Sequence, residues 1–361
     1  MNPNELHFND PFFYEKVYAG SMPKTDKDSY NASLSGLKTA VAVTLDHDHH
    51  RRRRGYVANF FSKQSTLRRE SFLQTKVNKL MQRLQEAYHR RETIPAVHAF
   101  GALTTDVISH YAYGESFGEL DVPGLPSPLT RDVKSMLLTG HFRRFLPVVT
   151  QLMEQLPERW LKWLSPAMGT MLDLNHRIEG LSIVASEQTS SRAQSKTQKT
   201  IFDALTDPSV PPEEKTLQRL KDESILLIFA GLDTTSRFLT AAACYMATYP
   251  EIMVKLRTEL KTLKSSQPTL SQLEALPYLV SARINPLNIT INKRIQTAFI
   301  NETLRYQCSM TSHFPRVLRE PLAYKDLLIP PGVRPFNSLH AQPPLILTHF
   351  ADYNRRATFP S

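Results

Sequence analysis

With 361 residues the chain has room for one large domain or two ordinary ones, and 41% hydrophobic residues suffice for a core. Two cysteines, Cys244 and Cys308, exclude a disulfide framework and point to a reducing compartment; no zinc-type Cys/His spacing occurs. A formal charge of +10 admits nucleic acid, an anionic membrane surface or an acidic redox partner, while no run of about 18 consecutive apolar residues is present to span a bilayer.

The opening stretch, Met1 to Asp10, lacks the charged-then-apolar profile of a signal peptide. Asp46-His47-Asp48-His49-His50 offers metal-ligand types, yet five neighbours cannot converge from one helix turn and no distant partner is evident. Arg51-Arg52-Arg53-Arg54 follows without the glycine and aromatic interleaving of an RNA-binding sheet, so nucleic acid is not an expected partner. A solvated basic face is the plain reading of that run. Leu73, Val77, Leu80, Met81 and Leu84 fall at helical spacing before Arg90. Phe100 to Tyr113 reads as a buried helix closed by Gly114, and Pro123 to Pro128 as a loop. His141 to Leu164 sets Phe142, Phe145, Leu152, Leu156, Trp160 and Trp163 beside Arg143, Arg144, Arg159 and Lys162. A core-facing surface helix pair is the favoured expectation there, against a membrane-dipping or substrate-entry element. Ser186 to Thr200 is polar and reads as a loop. A long helix is expected from Thr216 to Tyr249, stopped by Pro250, and a second from Pro250 to Leu263.

The long helix breaks local rules in its middle. Apolar flanks, Ile225 to Phe229 and Phe238 to Tyr245, enclose Ala230-Gly231-Leu232-Asp233-Thr234-Thr235. Glycine costs about 1 kcal/mol there relative to alanine, and a buried aspartate costs more unless paired. Small residues at 230 and 231 leave room for a flat ligand. A threonine hydroxyl can bond back to a carbonyl and locally open the helix.

Downstream, Glu302 and Arg305 lie three apart on one helical face, ahead of Phe314-Pro315-Arg316 and Ile329-Pro330-Pro331-Gly332. The approach to that helix is interrupted by Val280 to Gln296, 296 − 280 + 1 = 17 residues, whose Pro286 and β-branched, Asn-rich run oppose a helix. Without them Leu279 joins Thr297, and Leu279, Phe299, Ile300 and Leu304 fall at i, i+3, i+4 and i+8. A retained intron translated in frame accounts for such an insertion. The tail from Val333 to Ser361 shows no clear periodicity and is expected to be irregular; a second unspliced intron with a frameshift accounts for it.

Ala230-Gly231-x-Asp233-Thr234-Thr235, followed in order by Glu302-x-x-Arg305, Arg316 and Pro330-Pro331-Gly332, resembles the cytochrome P450 family, nearest to fungal members that oxidise terpenoid and other secondary metabolites. The resemblance covers residues 2–332 apart from the insertion. It implies a mainly α fold with small β elements near the carboxy-terminal part, as one incomplete domain over 1–332, and a haem cofactor. It implies insertion of an oxygen atom from O₂ into an apolar small molecule, with electrons from an NADPH-dependent reductase. By the same resemblance Thr234 and Asp233 handle oxygen and protons, and Ala230 and Gly231 lie against the haem. His50, Arg54 and Arg316 meet its propionates, and Glu302 with Arg305 forms a structural ion pair. The family's cysteine loop, whose thiolate ligates the haem iron, is not found, and neither Cys244, among Ala241 to Ala243 like a small core residue, nor Cys308 sits in such a loop. The expectation is a chain truncated at both ends, without the family's endoplasmic-reticulum anchor, cytoplasmic or peripheral, and without catalytic activity as it stands. The alternatives are a non-catalytic fragment or mis-spliced product that binds haem or a partner at most, and a basic helical nucleic-acid binder.

Overall fold

The structure is a computed structural model that describes residues 4–18, 24–33, 36–123, 129–132, 145–146, 148–149, 152, 155–164, 166–187, 200–263, 265, 267–280, 299–307 and 314–337. The chain divides into two compact units. The smaller comprises residues 1–33, 43–50 and 310–361, and the larger residues 34–42 and 51–309. Most of the loop at 123–128, most of the polar stretch at 186–200, most of the insertion, Cys308 and the last part of the tail lie outside the described residues.

All six described strands belong to the smaller unit: β1 (Glu5–Phe8), β2 (Thr25–Lys27), β3 (Arg316–Leu318), β4 (Leu322–Tyr324), β5 (Leu327–Ile329) and β6 (Arg334–Asn337). They pair in twos, β1 with β6 in parallel, β2 with β3 and β4 with β5 antiparallel. The expected irregular tail therefore opens on a strand. Its cause is a partner far away in sequence, since Glu5 to Phe8 pair with Arg334 to Asn337 and His7 stacks on Phe336 at 4.8 Å. Phe8, Phe13, Val17, Leu318, Leu322 and Ile329 make this unit's core, with α1 (Tyr14–Tyr18) supplying Val17. A further short helix here is α2 (Ser29–Ser33).

The larger unit is helical. Helix α3 (His47–Ala58) leads into it, followed by α4 (Lys63–Arg68), α5 (Glu70–Arg90), α6 (Ala96–Tyr113), α7 (Glu158–Leu164), α8 (Pro166–Glu187), α9 (Ile201–Leu205), α10 (Leu217–Thr248), α11 (Pro250–Leu260), α12 (Leu270–Glu274) and α13 (Phe299–Tyr306). Helix α10 is the spine. Thr216 accepts the Arg219 N–H as its N-cap, and Pro250, which has no N–H to give, starts α11. Along its length α10 packs on α6, with α8 on another side. By length and composition α10 alone among the described helices could cross a membrane; here it carries the buried charges Arg219, Asp222 and Glu223. Helix α6 ends where expected, at Gly114 with φ +79°, a conformation glycine adopts without strain.

Two apolar faces depart from expectation. On α5 Leu80 is buried, but Val77 and Met81 are exposed. The stretch ending in α7, expected to face a core, is open: Phe145, Val148, Leu152, Trp160 and Trp163 are all at least half exposed, and Leu161 alone in α7 is buried. Apolar periodicity reports a stripe but not whether anything covers it.

Candidate functional site

Helical rotation decides what the middle of α10 presents. Leu227, Ile228, Leu232 and Ser236 turn inward, Ile228 and Leu232 against Leu174 and Ile178 of α8. Ala230, Thr234 and Thr235 lie on an exposed face, with Asp233 half-buried between the two. The apolar flanks were expected to bury the whole turn. They do not, because residues at i and i+4 form one stripe and those two positions further on form another.

Hydroxyls in and beside this turn bond to its carbonyls. Thr234 Oγ1 donates to the Ala230 carbonyl at 2.7 Å and Ser236 Oγ to the Asp233 carbonyl at 3.1 Å. From α6, Thr104 Oγ1 donates to the Leu232 carbonyl at 3.2 Å. Three carbonyls among four consecutive residues thus share their lone pairs with a hydroxyl, which weakens their hold on the helix N–H groups. The helix nonetheless stays continuous. Asp233 Oδ1 accepts from Arg237 Nε at 2.7 Å, the i, i+4 pairing that satisfies a half-buried carboxylate. Arg237 was legible from that spacing and was missed.

Gly231 turns toward α6 and away from the open face. A Cβ there would stand 2.8 Å from Cγ1 of Ile108 and 3.0 Å from its Cβ. Its smallness therefore serves the α6–α10 approach, which corrects the expectation that it leaves room for a flat ligand; Ala230 does lie on the open face. Gly231→Ala is expected to cost about 1–3 kcal/mol. The cost should shrink in an Ile108→Ala background. Chemical denaturation of the four variants measures it, and strictly additive losses would refute the contact.

The other expected residues lie apart. His50 and Arg54 share α3, His50 half-buried and Arg54 exposed. Asp46 caps this helix through the His49 N–H at 2.7 Å, and that bond is the main reason its carboxyl sits below the usual range. Among the described residues no cluster of three His, Cys, Asp or Glu could hold a metal. Arg53, read as one of a solvated run, turns inward and binds Glu214 at 2.7 Å and the Thr39 carbonyl at 2.9 Å. Glu302 and Arg305 ride on α13; their side chains lie outside the described ones. Cys244, read as a small core residue, is exposed on α10.

In the smaller unit, Arg316 of β3 has its guanidinium 5.2 Å over the ring of Tyr18 and its Nη1 3.5 Å from the Phe314 carbonyl. Burial depresses its pKa, and no described carboxylate pairs with it. Arg319, three residues on, binds Asp26 at 2.6 Å and Asp46 at 2.5 Å. Among the described residues Arg316 is thus a half-buried cation without a carboxylate partner, and its planar guanidinium has the chemistry to pair with one.

Among the described residues, then, the chain is mainly helical with three small two-stranded sheets, and its long helix carries an acid–alcohol turn on an open face. A sequence model described as Cytochrome P450 matches residues 13–285. The chain is 33% identical over 336 residues to the cytochrome P450 monooxygenase TRI4 of Fusarium sporotrichioides, covering 92% of this chain and 61% of that one. It is 32% identical to SAT11 of Stachybotrys chartarum (92% and 60%) and 33% identical to the conidiogenone synthase PchP450 of Penicillium rubens (94% and 65%). The chain belongs to the cytochrome P450 family, whose cofactor is haem, and is similar to its fungal secondary-metabolism monooxygenases. It spans about three-fifths of the length of these relatives.

Proposed function

We propose that this protein takes part in the O₂-dependent oxidation of an apolar small molecule of secondary metabolism, with electrons from an NADPH-dependent reductase. The acid–alcohol turn on the open face of α10 carries the reading. Haem, when bound, supplies the oxygen-activating chemistry. Thr234 Oγ1, donating to the Ala230 carbonyl, keeps its lone pairs free to accept a proton donor. Asp233 is the acid beside it, held by Arg237, and passes protons along the turn. Arg316 meets a haem carboxylate, with His50 and Arg54 the further candidates on α3. Glu302 and Arg305 pair as scaffold.

We further propose that the 361-residue polypeptide alone does not complete this reaction, because neither of its two cysteines lies in a glycine-rich ligand loop. Hemin titration of the purified polypeptide is expected to give a Soret band that weakens in Arg316→Met, and the reduced, CO-treated form is expected to lack the thiolate signature. A thiolate-type band would overturn the claim of inactivity. Absence of any haem band, or its indifference to Arg316, would overturn the claim that Arg316 holds the cofactor.

Fungal members of this family are commonly anchored at the endoplasmic reticulum, and exposed Trp160, Trp163 and Leu164 beside Arg159 favour a peripheral contact with an anionic bilayer. Replacing both tryptophans by serine is expected to lower binding to vesicles containing anionic phospholipid. Equal sedimentation of the two proteins would refute it.

A further inference from the structure

Two backbone hydrogen bonds join residues far apart along the chain. The Phe299 N–H donates to the Tyr278 carbonyl at 2.9 Å, and the Ile300 N–H to the Leu279 carbonyl at 3.3 Å. An α-helical N–H bonds the carbonyl four residues earlier. Here the separations are 299 − 278 = 21 and 300 − 279 = 21, so each exceeds the helical one by 21 − 4 = 17. A chance contact has no reason to give the same excess twice in succession. Two consecutive bonds with one offset are a helical register.

The same helix has a recognisable start. The Val280 N–H bonds the Leu276 carbonyl at 3.0 Å, an ordinary four-residue helical bond. Pro277 then stands at the first helical position, where a missing N–H costs nothing. The next two N–H groups, of Tyr278 and Leu279, have no carbonyl in reach along their own helix. The Glu259 carboxylate takes both, Oε1 at 2.7 Å and Oε2 at 3.0 Å. A carboxylate on the orphan N–H groups of a first turn is how a helix N-terminus is satisfied. The first turn is therefore at residues 277–280, and its continuation, with Thr303 buried and the helix packed against α10, is at 299–306.

We infer that residues 280–296 are a 17-residue insertion into one helix that begins at Pro277 and ends at Tyr306. The bonds fix the number of residues, and Pro286 with the β-branched, Asn-rich run places them after Leu279, Val280 taking the helical position that Thr297 takes once they are removed. The helix carries Glu302 and Arg305 and is complete without the insertion. The cost of closing a loop grows only slowly with its length, so a helix can bear such an interruption.

Three deletions test this against the full chain. Removing residues 280–296 restores the helical spacing. Removing 281–296 or 280–297 leaves one residue too many or too few and rotates Phe299 to Tyr306 by about 100° against the first turn. Thermal melting followed by far-UV circular dichroism is expected to place the 280–296 deletion at or above the full chain and both misregistered deletions at least about 2 °C lower. The inference is overturned if the in-register deletion melts below the full chain, or if all three deletions melt together.

Discussion

Arg219→Met is expected to destabilise the larger unit by about 3–5 kcal/mol in urea or guanidinium unfolding. The Arg219 side chain is only 2% exposed, and it binds Glu223 one turn on, itself 1% exposed, while its Nε lies 3.5 Å from Glu214. Glu214 is shared with Arg53 at 2.7 Å, and Glu223 also accepts the Val41 N–H at 2.9 Å. Neighbouring Asp222 accepts the Lys38 and Thr39 N–H groups at 2.9 and 2.7 Å and the Thr39 hydroxyl at 2.7 Å. Two buried carboxylates, Glu214 and Glu223, therefore face two guanidiniums, and Asp222 and Glu223, side by side on α10, hold residues 38–41. Without Arg219, Glu223 keeps a single N–H partner against the full cost of burying its charge. The penalty should come from the uncompensated carboxylate and not from the loss of an intrinsically valuable pair. Adding Glu223→Met should then recover most of the stability. A single variant within about 1 kcal/mol of the parent would show that water reaches this cluster.

That cluster also shows where sequence reasoning stops. The spine helix was legible to within a residue at each end, because a cap, an apolar run and Pro250 are all local signals. So was α6, through its closing Gly114. The acid–alcohol turn stood out because Asp233 and Gly231 violate local rules. Which face each occupies was not legible, since that depends on α6 and α8, more than a hundred and about fifty residues earlier respectively. Glu223 meets Val41 across 182 residues, and nothing near either position announces it. Arg53 differs from Arg52 and Arg54 only by 100° of helical rotation, so a run of four arginines hides which one turns inward.

Glu119→Gln is expected to remove a fall in stability that the parent shows as pH rises from about 4.5 to about 7. The carboxyl of Glu119 is pushed up to about 7, first by burial and then by the charge of Asp106, with Arg177 of α8 opposing. Asp106 is fully buried on α6 and accepts Lys76 Nζ of α5 at 2.9 Å and the backbone N–H of Glu119 at 2.7 Å. Lys76 is thus already committed to Asp106, and Glu119 Oε2 makes no hydrogen bond among the described residues. Below pH 4.5 the group is protonated folded or unfolded and contributes nothing. Between 4.5 and 7 the unfolded chain releases its proton and the folded chain keeps it, so the folded state loses ground with rising pH. Above 7 both forms are ionised and the loss is complete, on the order of 3 kcal/mol for a shift of this size. Glutamine mimics the neutral acid at every pH. The variant should therefore match the parent near pH 4.5 and exceed it near pH 8, as measured by denaturant midpoints across that range. Parallel curves for the two proteins would mean that Glu119 titrates like an exposed carboxylate, and that the corner between α6 and residues 119–121 opens to water far more readily than its packing implies.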